Sequence, residues 1–300
     1  MEKKIGFIGL GTMGSAMSKN LLKKGFKLTV FDLVKERVES IVALGAEAAK
    51  SAKQVAEKTN VIITIVPSSP HVREVIFGKE GVVEGAKKGS VVIDMSTIDP
   101  MTSREISKKL SEKGIKMLDA PVARSHWAAE SGTLAIYVGG DKEVYEGCKD
   151  ILSAMGSDIS YIGGPGSGEV IKVVNNLIVM IELAALSEAL VMGVKAGVEP
   201  GLLVKALGDG SANSFVLQNY IKDWILKGKF EKGFFPINYV IKDLGHAMAL
   251  AAEYHVPCFF GALATQAFEL ARAAGYSDIF APAIIRPLEE LTGVEVRSKT

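Results

Sequence analysis

Lys172, Asn175 and Asn176 stand together in GSGEVIKVVNN, an ammonium and two amides set in a run that is otherwise largely apolar as far as Gly193. At helical spacing the three share one face, while Ile171, Val174, Ile178 and Ile181 cover the others. A lone Lys on a helix usually snorkels to solvent, but this helix is too apolar to be a surface face and follows a glycine-rich turn. Polar groups so placed need partners, and a ligand supplies them. The chemistry on offer is general acid–base catalysis: Lys172 passes a proton to or from an oxygen beside the two amides.

A second group of residues suits a phosphate. The run KIGFIG leads into Gly9-Leu10-Gly11-Thr12-Met13-Gly14 and then into SAMSKNLLKKG, which reads as strand, tight glycine turn and helix. Glycines at such a turn let the backbone approach a pyrophosphate, whose charge meets the helix N-terminus. Asp32 closes the next strand 21 positions after Gly11 (32 − 11), where a ribose-binding acid is expected, although it could also cap the helix that follows. A carboxylate there repels a 2′-phosphate, and Leu33 and Val34 bring no Arg, so the expected cofactor is NAD.

Further along, Ser96-Thr97 could present hydroxyls to a polar substrate or cap the next helix. Arg124, in DAPVARSH, could clamp an anion with two parallel hydrogen bonds. Lys242-Asp243 heads the helical LGHAMALAAEY and reads equally as site or as surface pair.

The elements that must position these groups follow from periodicity. Apolar runs at 4–9, 27–31, 61–66, 90–94, 116–119 and 133–138 alternate with helical stretches, the pattern of an α/β doubly wound parallel sheet. Ligands of such sheets collect beyond the carboxyl ends of the strands, so the segments after Val66, Asp94 and Asp119 should line the site, with Val66, Pro67 and Thr97 in the cofactor set. From Val194 onward the signal is helical, broken at 197–201, 208–212, 228–236 and 255–257. The expected organisation is a dinucleotide-binding domain at 1–162, then an interdomain helix and an all-α domain at 163–300.

At 300 residues the chain is long enough for two cores. A net charge of +1 gives no footprint for nucleic acid or an anionic membrane, which leaves small molecules or further copies of the chain as partners. Glu182 and Glu188 interrupt the most apolar stretch and argue against a membrane span. Cys148 and Cys258 form neither a metal-spaced pair nor a disulfide framework, and MEKKIGFIGLG has no signal-like segment, so a cytoplasmic setting is expected and no metal site.

GLGTMGSAMSKNLLKKG, DMSTIDP, DAPV…GTL, GSGEVIKVVNN and KDLGHAM, in that order over nearly the whole chain, resemble the motifs of the β-hydroxyacid dehydrogenases. The resemblance implies a Rossmann-type sheet domain, a long interdomain helix and an all-α C-terminal domain that helps form a homodimer or homotetramer. It implies hydride exchange between a nicotinamide and a carbonyl carbon, with Lys172 as the catalytic lysine and Asn176 its companion. It also places Ser96, the segment Ala123, Arg124 and Ser125, Asn175 with Asn176, and Lys242 on the substrate, with Lys242 near the nicotinamide as well. The acid–base role requires Lys172 to release its proton near neutrality, which burial or a cation such as Lys242 would promote. The common family pattern after DAPV is Ser-Gly-Gly, whereas this chain has Ala-Arg-Ser, similar to the Gly-Arg-Thr of the 3-sulfolactaldehyde reductase branch. The expectation is therefore a small anionic aldehyde and its primary alcohol, 3-sulfolactaldehyde foremost, with 3-hydroxyisobutyrate-like carboxylates and a non-catalytic NAD-binding scaffold as alternatives.

Overall fold

Short β-branched runs that are buried along their length become parallel strands, because both faces of such a sheet are covered by helices. The computed structural model describes residues 3–298; Met1 and Glu2, the head of the segment read for a targeting signal, lie outside the described residues, as do Lys299 and Thr300. The strands are β1 (Ile5–Ile8), β2 (Leu28–Phe31), β3 (Glu47–Ala48), β4 (Val61–Thr64), β5 (Val91–Asp94), β6 (Lys116–Asp119), β7 (Val122–Ala123), β8 (Leu134–Gly140) and β9 (Gly156–Gly163). They form one sheet of order β3-β2-β1-β4-β5-β6-β8-β7, with β9 on β8. Between them run α1 (Thr12–Lys23), α2 (Lys35–Val42), α3 (Ala52–Lys58), α4 (Ser69–Phe77), α5 (Pro100–Glu112), α6 (Ser125–Ser131) and α7 (Lys142–Ser153).

The strand order reverses between β1 and β4, and this switch point is where open α/β sheets bind ligands. Register pairs Ile8 with both Phe31 and Thr64, Thr64 with Asp94, and Asp94 with Asp119, so the strand ends lie side by side. The expectation of a wholly parallel sheet needs one correction. β8 runs antiparallel to β6 and β7, and β9, which the sequence reading did not separate, pairs parallel with β8. β9 is an edge strand whose exposed and covered residues alternate, so it lacks the continuous apolar run of its neighbours.

The chain divides into compact units Met1–Lys172 and Val173–Thr300, so the boundary falls inside α8 (Ser167–Lys195) rather than at its start. In the second unit α9 (Pro200–Asp209), a π-type helix at Val216–Ile225, α10 (Ile237–Glu253), α11 (Phe259–Ala271) and α12 (Arg286–Thr292) follow; the breaks at 228–236 and 255–257 fall between elements, while those at 197–201 and 208–212 overlap the two ends of α9. Phe280 anchors this core, with Tyr220, Trp224 and Phe234 edge-on to it at centroid distances of 5.3, 4.8 and 6.0 Å.

Candidate active site

The glycine turn is tight because backbone packs on backbone. A Cβ at Gly9, whose φ is +95°, would lie 2.2 Å from Ile65 O, and one at Gly14 would lie 2.0 Å from Gly9 O. Gly11 is the contrast: a Cβ there would meet nothing within 4 Å, and Gly11 caps α1 with no side-chain hydrogen bond. The turn therefore leaves open space above the N–H groups of Thr12, Met13 and Gly14, which begin the helix, and those donors with the helix dipole fit a pyrophosphate. Asp32 follows β2 with its side chain only 9% exposed. Its Oδ2 accepts from Leu10 N–H at 2.6 Å and its Oδ1 from Val34 N–H at 2.8 Å, which ties it to the glycine turn. Arg37 Nη1 stands 3.6 Å from Oδ1, a cation one turn into α2 that the sequence reading overlooked.

At the ends of β4 and β5, Val66 is half-buried, Pro67 exposed and Thr97 half-buried. Ser96 differs from its expected role. It is 1% exposed, and its Oγ donates to Asp94 Oδ1 at 2.6 Å while accepting from Val66 N–H at 2.9 Å. Its hydroxyl is thus committed inside the protein, where it joins the two strand ends instead of facing a substrate. Asp94 also accepts from Thr64 Oγ1 at 2.8 Å, while its Oδ2 has no hydrogen-bond partner. Burial pushes the Asp94 carboxyl up to about 6.

The loop at 123–125 also departs from the clamp expected of Arg124. Arg124 and Ser125 both adopt left-handed backbone, φ +84° and +68°, which explains why glycines suit these positions in the family pattern. The Arg124 guanidinium turns to β9, where Nη1 donates to Asp158 Oδ2 at 2.6 Å, Thr133 O at 3.2 Å and Ser157 Oγ at 3.3 Å. The Ser157 hydroxyl and then Arg124 hold the Asp158 carboxyl below its ordinary range. Ala123 and Ser125 remain half-buried.

Lys172 is half-buried and closes the first unit; Asn175 and Asn176 open the second on the same helix. Asn175 Nδ2 donates to Asn176 Oδ1 at 3.1 Å, and Asn176 Nδ2 donates to Asp243 Oδ2 at 2.6 Å. Asp243 is 3% exposed, and the Lys242 ammonium lies 2.9 Å from its Oδ1. Lys242-Asp243 is therefore no surface pair. Asp243, which the sequence offers only as half of a pair equally site or surface, lies inside α10 (Ile237–Glu253) rather than at the head of a helix, and a carboxylate buried there needs the partner it finds in Asn176. The chain Asn175, Asn176, Asp243 orients both amides, since a carboxylate only accepts and so faces Asn176 Nδ2, which leaves Asn176 Oδ1 to accept from Asn175.

Residues 4–163 match the family model of the NAD binding domain of 6-phosphogluconate dehydrogenase, and residues 166–288 that of the NAD-binding domain of NADP-dependent 3-hydroxyisobutyrate dehydrogenase. The chain is 40% identical over 298 residues, 99% of each chain, to 2-(hydroxymethyl)glutarate dehydrogenase of Eubacterium barkeri. It is 36% identical over 278 residues to mitochondrial 3-hydroxyisobutyrate dehydrogenase of Bos taurus, covering 91% of this chain and 83% of that one. The solved structure of Mycobacterium tuberculosis 3-hydroxyisobutyrate dehydrogenase with L-serine superposes with a TM-score of 0.85 at 27% identity, over 96% of this chain and 99% of that one. The glycine cradle and the matched family models together make the chain an oxidoreductase that uses a nicotinamide dinucleotide, and it belongs to the β-hydroxyacid dehydrogenase family.

Proposed function

We propose that the chain interconverts the primary alcohol of a small 3-hydroxycarboxylic acid and the corresponding aldehyde, with NAD(H). The carrying observation is the fixed amide row of Asn175 and Asn176, on the helix that also bears Lys172, held by buried Asp243 of α10. Lys172 gives its proton to the carbonyl oxygen in reduction and takes it back in oxidation, and the amides orient that oxygen. The nicotinamide, when bound, supplies or accepts the hydride. Asp32 favours NAD over NADP because its carboxylate repels a 2′-phosphate, and the nearby Arg37 moderates that preference.

The full-length similarity to a hydroxymethylglutarate dehydrogenase supports a carboxylate substrate. The sulfonate reading drew on the charge of Arg124, and that charge is spent on Asp158. The left-handed backbone at Arg124 and Ser125 supports a loop that holds its anion through main-chain N–H groups. Both cysteines are free, which is compatible with the reducing cytoplasm we assign. By length and composition α8 could cross a membrane, with a third of its most apolar stretch buried. Glu182 and Glu188 within it, and the match of the whole chain to dehydrogenases, favour instead a homo-oligomer, dimer or tetramer, whose second copy covers the apolar face.

The deciding experiment follows nicotinamide absorbance with NAD and NADP against 3-hydroxyisobutyrate, 2-(hydroxymethyl)glutarate and the 3-sulfolactaldehyde couple, for the wild type, Arg124→Gly and Asp158→Ala. A carboxylate should be turned over best, and Arg124→Gly should retain it. If the sulfonate wins, and Asp158→Ala raises its kcat/KM by freeing Arg124, the clamp reading replaces ours. A chain inert toward every alcohol and aldehyde in the panel is a scaffold.

A further inference from the structure

Asp119, the last residue of β6, is where the helix carrying Lys172 begins. Gly166 N–H donates to its Oδ1 at 2.8 Å and Glu169 N–H to its Oδ2 at 3.1 Å, and the backbone of Gly168 bonds the same carboxylate. The first N–H groups of a helix have no partner within it and are ordinarily capped by the residue just before it. Here they converge on a strand end 47 residues earlier in the chain.

The carboxylate is 2% exposed and sits in a space cleared by glycines. A Cβ on Gly139 would lie 2.6 Å from both of its oxygens, and one on Gly168 would lie 2.3 Å from Tyr137 O and 2.9 Å from Asp119 Oδ2. Burial pushes the Asp119 carboxyl up, and the backbone donors oppose that. In the same helical turn wholly buried Glu169 accepts from Ile98 N–H at 3.3 Å, so this turn also holds the loop bearing Ser96 and Thr97. Lys172 lies three residues beyond Glu169, on the same side of the helix.

We propose that Asp119 is a positioning residue for the reaction: by capping α8 from the end of β6 it sets the height and rotation of Lys172 relative to the strand ends. The inference rests on the acid–base role given to Lys172. A misplacement of about 1 Å in a reacting group costs as much as ~10²-fold in rate, so a cap that fixes one helical turn carries kinetic weight.

Two variants loosen the cap differently. Asp119→Asn removes the charge and turns an amide N–H₂ toward the donors, while Gly139→Ala keeps the charge and pushes the carboxylate away. Each is to be measured for melting, for NADH affinity by fluorescence titration and for kcat and KM, alone and in a Lys172→Ala background. The expected result is a folded protein with wild-type NADH affinity, kcat lowered about 10- to 10²-fold with KM within a few-fold, and no further loss once Lys172 is gone. If Lys172→Ala keeps near wild-type turnover, the underlying acid–base reading fails. If Lys172→Ala is inactive while both single variants keep wild-type kcat, this proposal alone fails. Losses that persist in the Lys172→Ala background, that track NADH affinity, or that come with unfolding of both variants make Asp119 a determinant of the fold only.

Discussion

Asp94, Asp119 and Glu169 in the sheet unit are each no more than 2% exposed and accept hydrogen bonds chiefly from neighbouring backbone N–H groups and hydroxyls. The comparable buried acids of the helical unit, Asp243 and Glu289, depend chiefly on side chains, with one backbone donor, Val296 N–H to Glu289 Oε1 at 2.9 Å. Asn176 and Lys242 serve the first, and Arg297 and Arg286 the second. Strand ends and helix starts have spare N–H groups, whereas helix interiors consume theirs, so the two units must satisfy buried charge differently. Anchoring through backbone fixes where loops lie; anchoring through side chains mainly fixes other side chains. A second contrast follows at the surface. In the sheet unit Leu33 and Leu44 are the large apolar residues more than half exposed among the described residues, whereas in the helical unit Ile178, Met192, Phe259, Phe260 and Leu263 are among several that are. Exposed apolar residues of that kind are what the proposed second copy would cover.

The largest expected effect tests whether all this anchoring serves one group. Lys172→Ala should fold and bind NADH yet lose about 10²–10⁴-fold in turnover, since only the proton carrier is gone. Steady-state kinetics within a few-fold of wild type would end the acid–base assignment. Next in size is association: Phe260→Asp with Leu263→Asp should turn an oligomer into a monomer by light scattering, since burying each side chain contributes about 1.5–3 kcal/mol. A wild type already monomeric at micromolar concentration would remove the second contrast.

The third prediction sharpens the treatment of buried charge in the sheet unit. Asp94 keeps its proton to about 6, while the unfolded chain releases it near 4, so between these values the native state binds more protons and stability falls as pH rises. The loss amounts to about 2–3 kcal/mol, from a shift of roughly two pKa units. Asp94→Asn cannot ionise, so its denaturant midpoint should gain on wild type between about pH 4 and about pH 7; parallel midpoints would refute the buried-acid account. The smallest effect belongs to the helical unit. Asn176→Ala deprives Asp243 of its amide donor and should cost about 1–3 kcal/mol of unfolding free energy. An unchanged melt would mean that Lys242 alone suffices for Asp243.

Local physics made much of this legible in the sequence. The Gly9 to Gly14 turn, Asp32 at the end of the next strand, the alternation of apolar and helical runs, the four breaks in the helical unit and the i, i+3, i+4 spacing of Lys172, Asn175 and Asn176 all depend on residues close in the chain. Tertiary structure alone decided the partners. Arg124 meets Asp158 34 residues away because β7, which it follows, pairs with β8 and β8 with β9, Asn176 meets Asp243 67 residues away through helix packing, and Ser96 is turned inward by Asp94 and Val66. A side chain's type says which bonds it can make, but only the folded chain says which neighbour reaches it first. That is why Arg124 reads as an anion clamp in the sequence and stands as a strut on Asp158 in the structure.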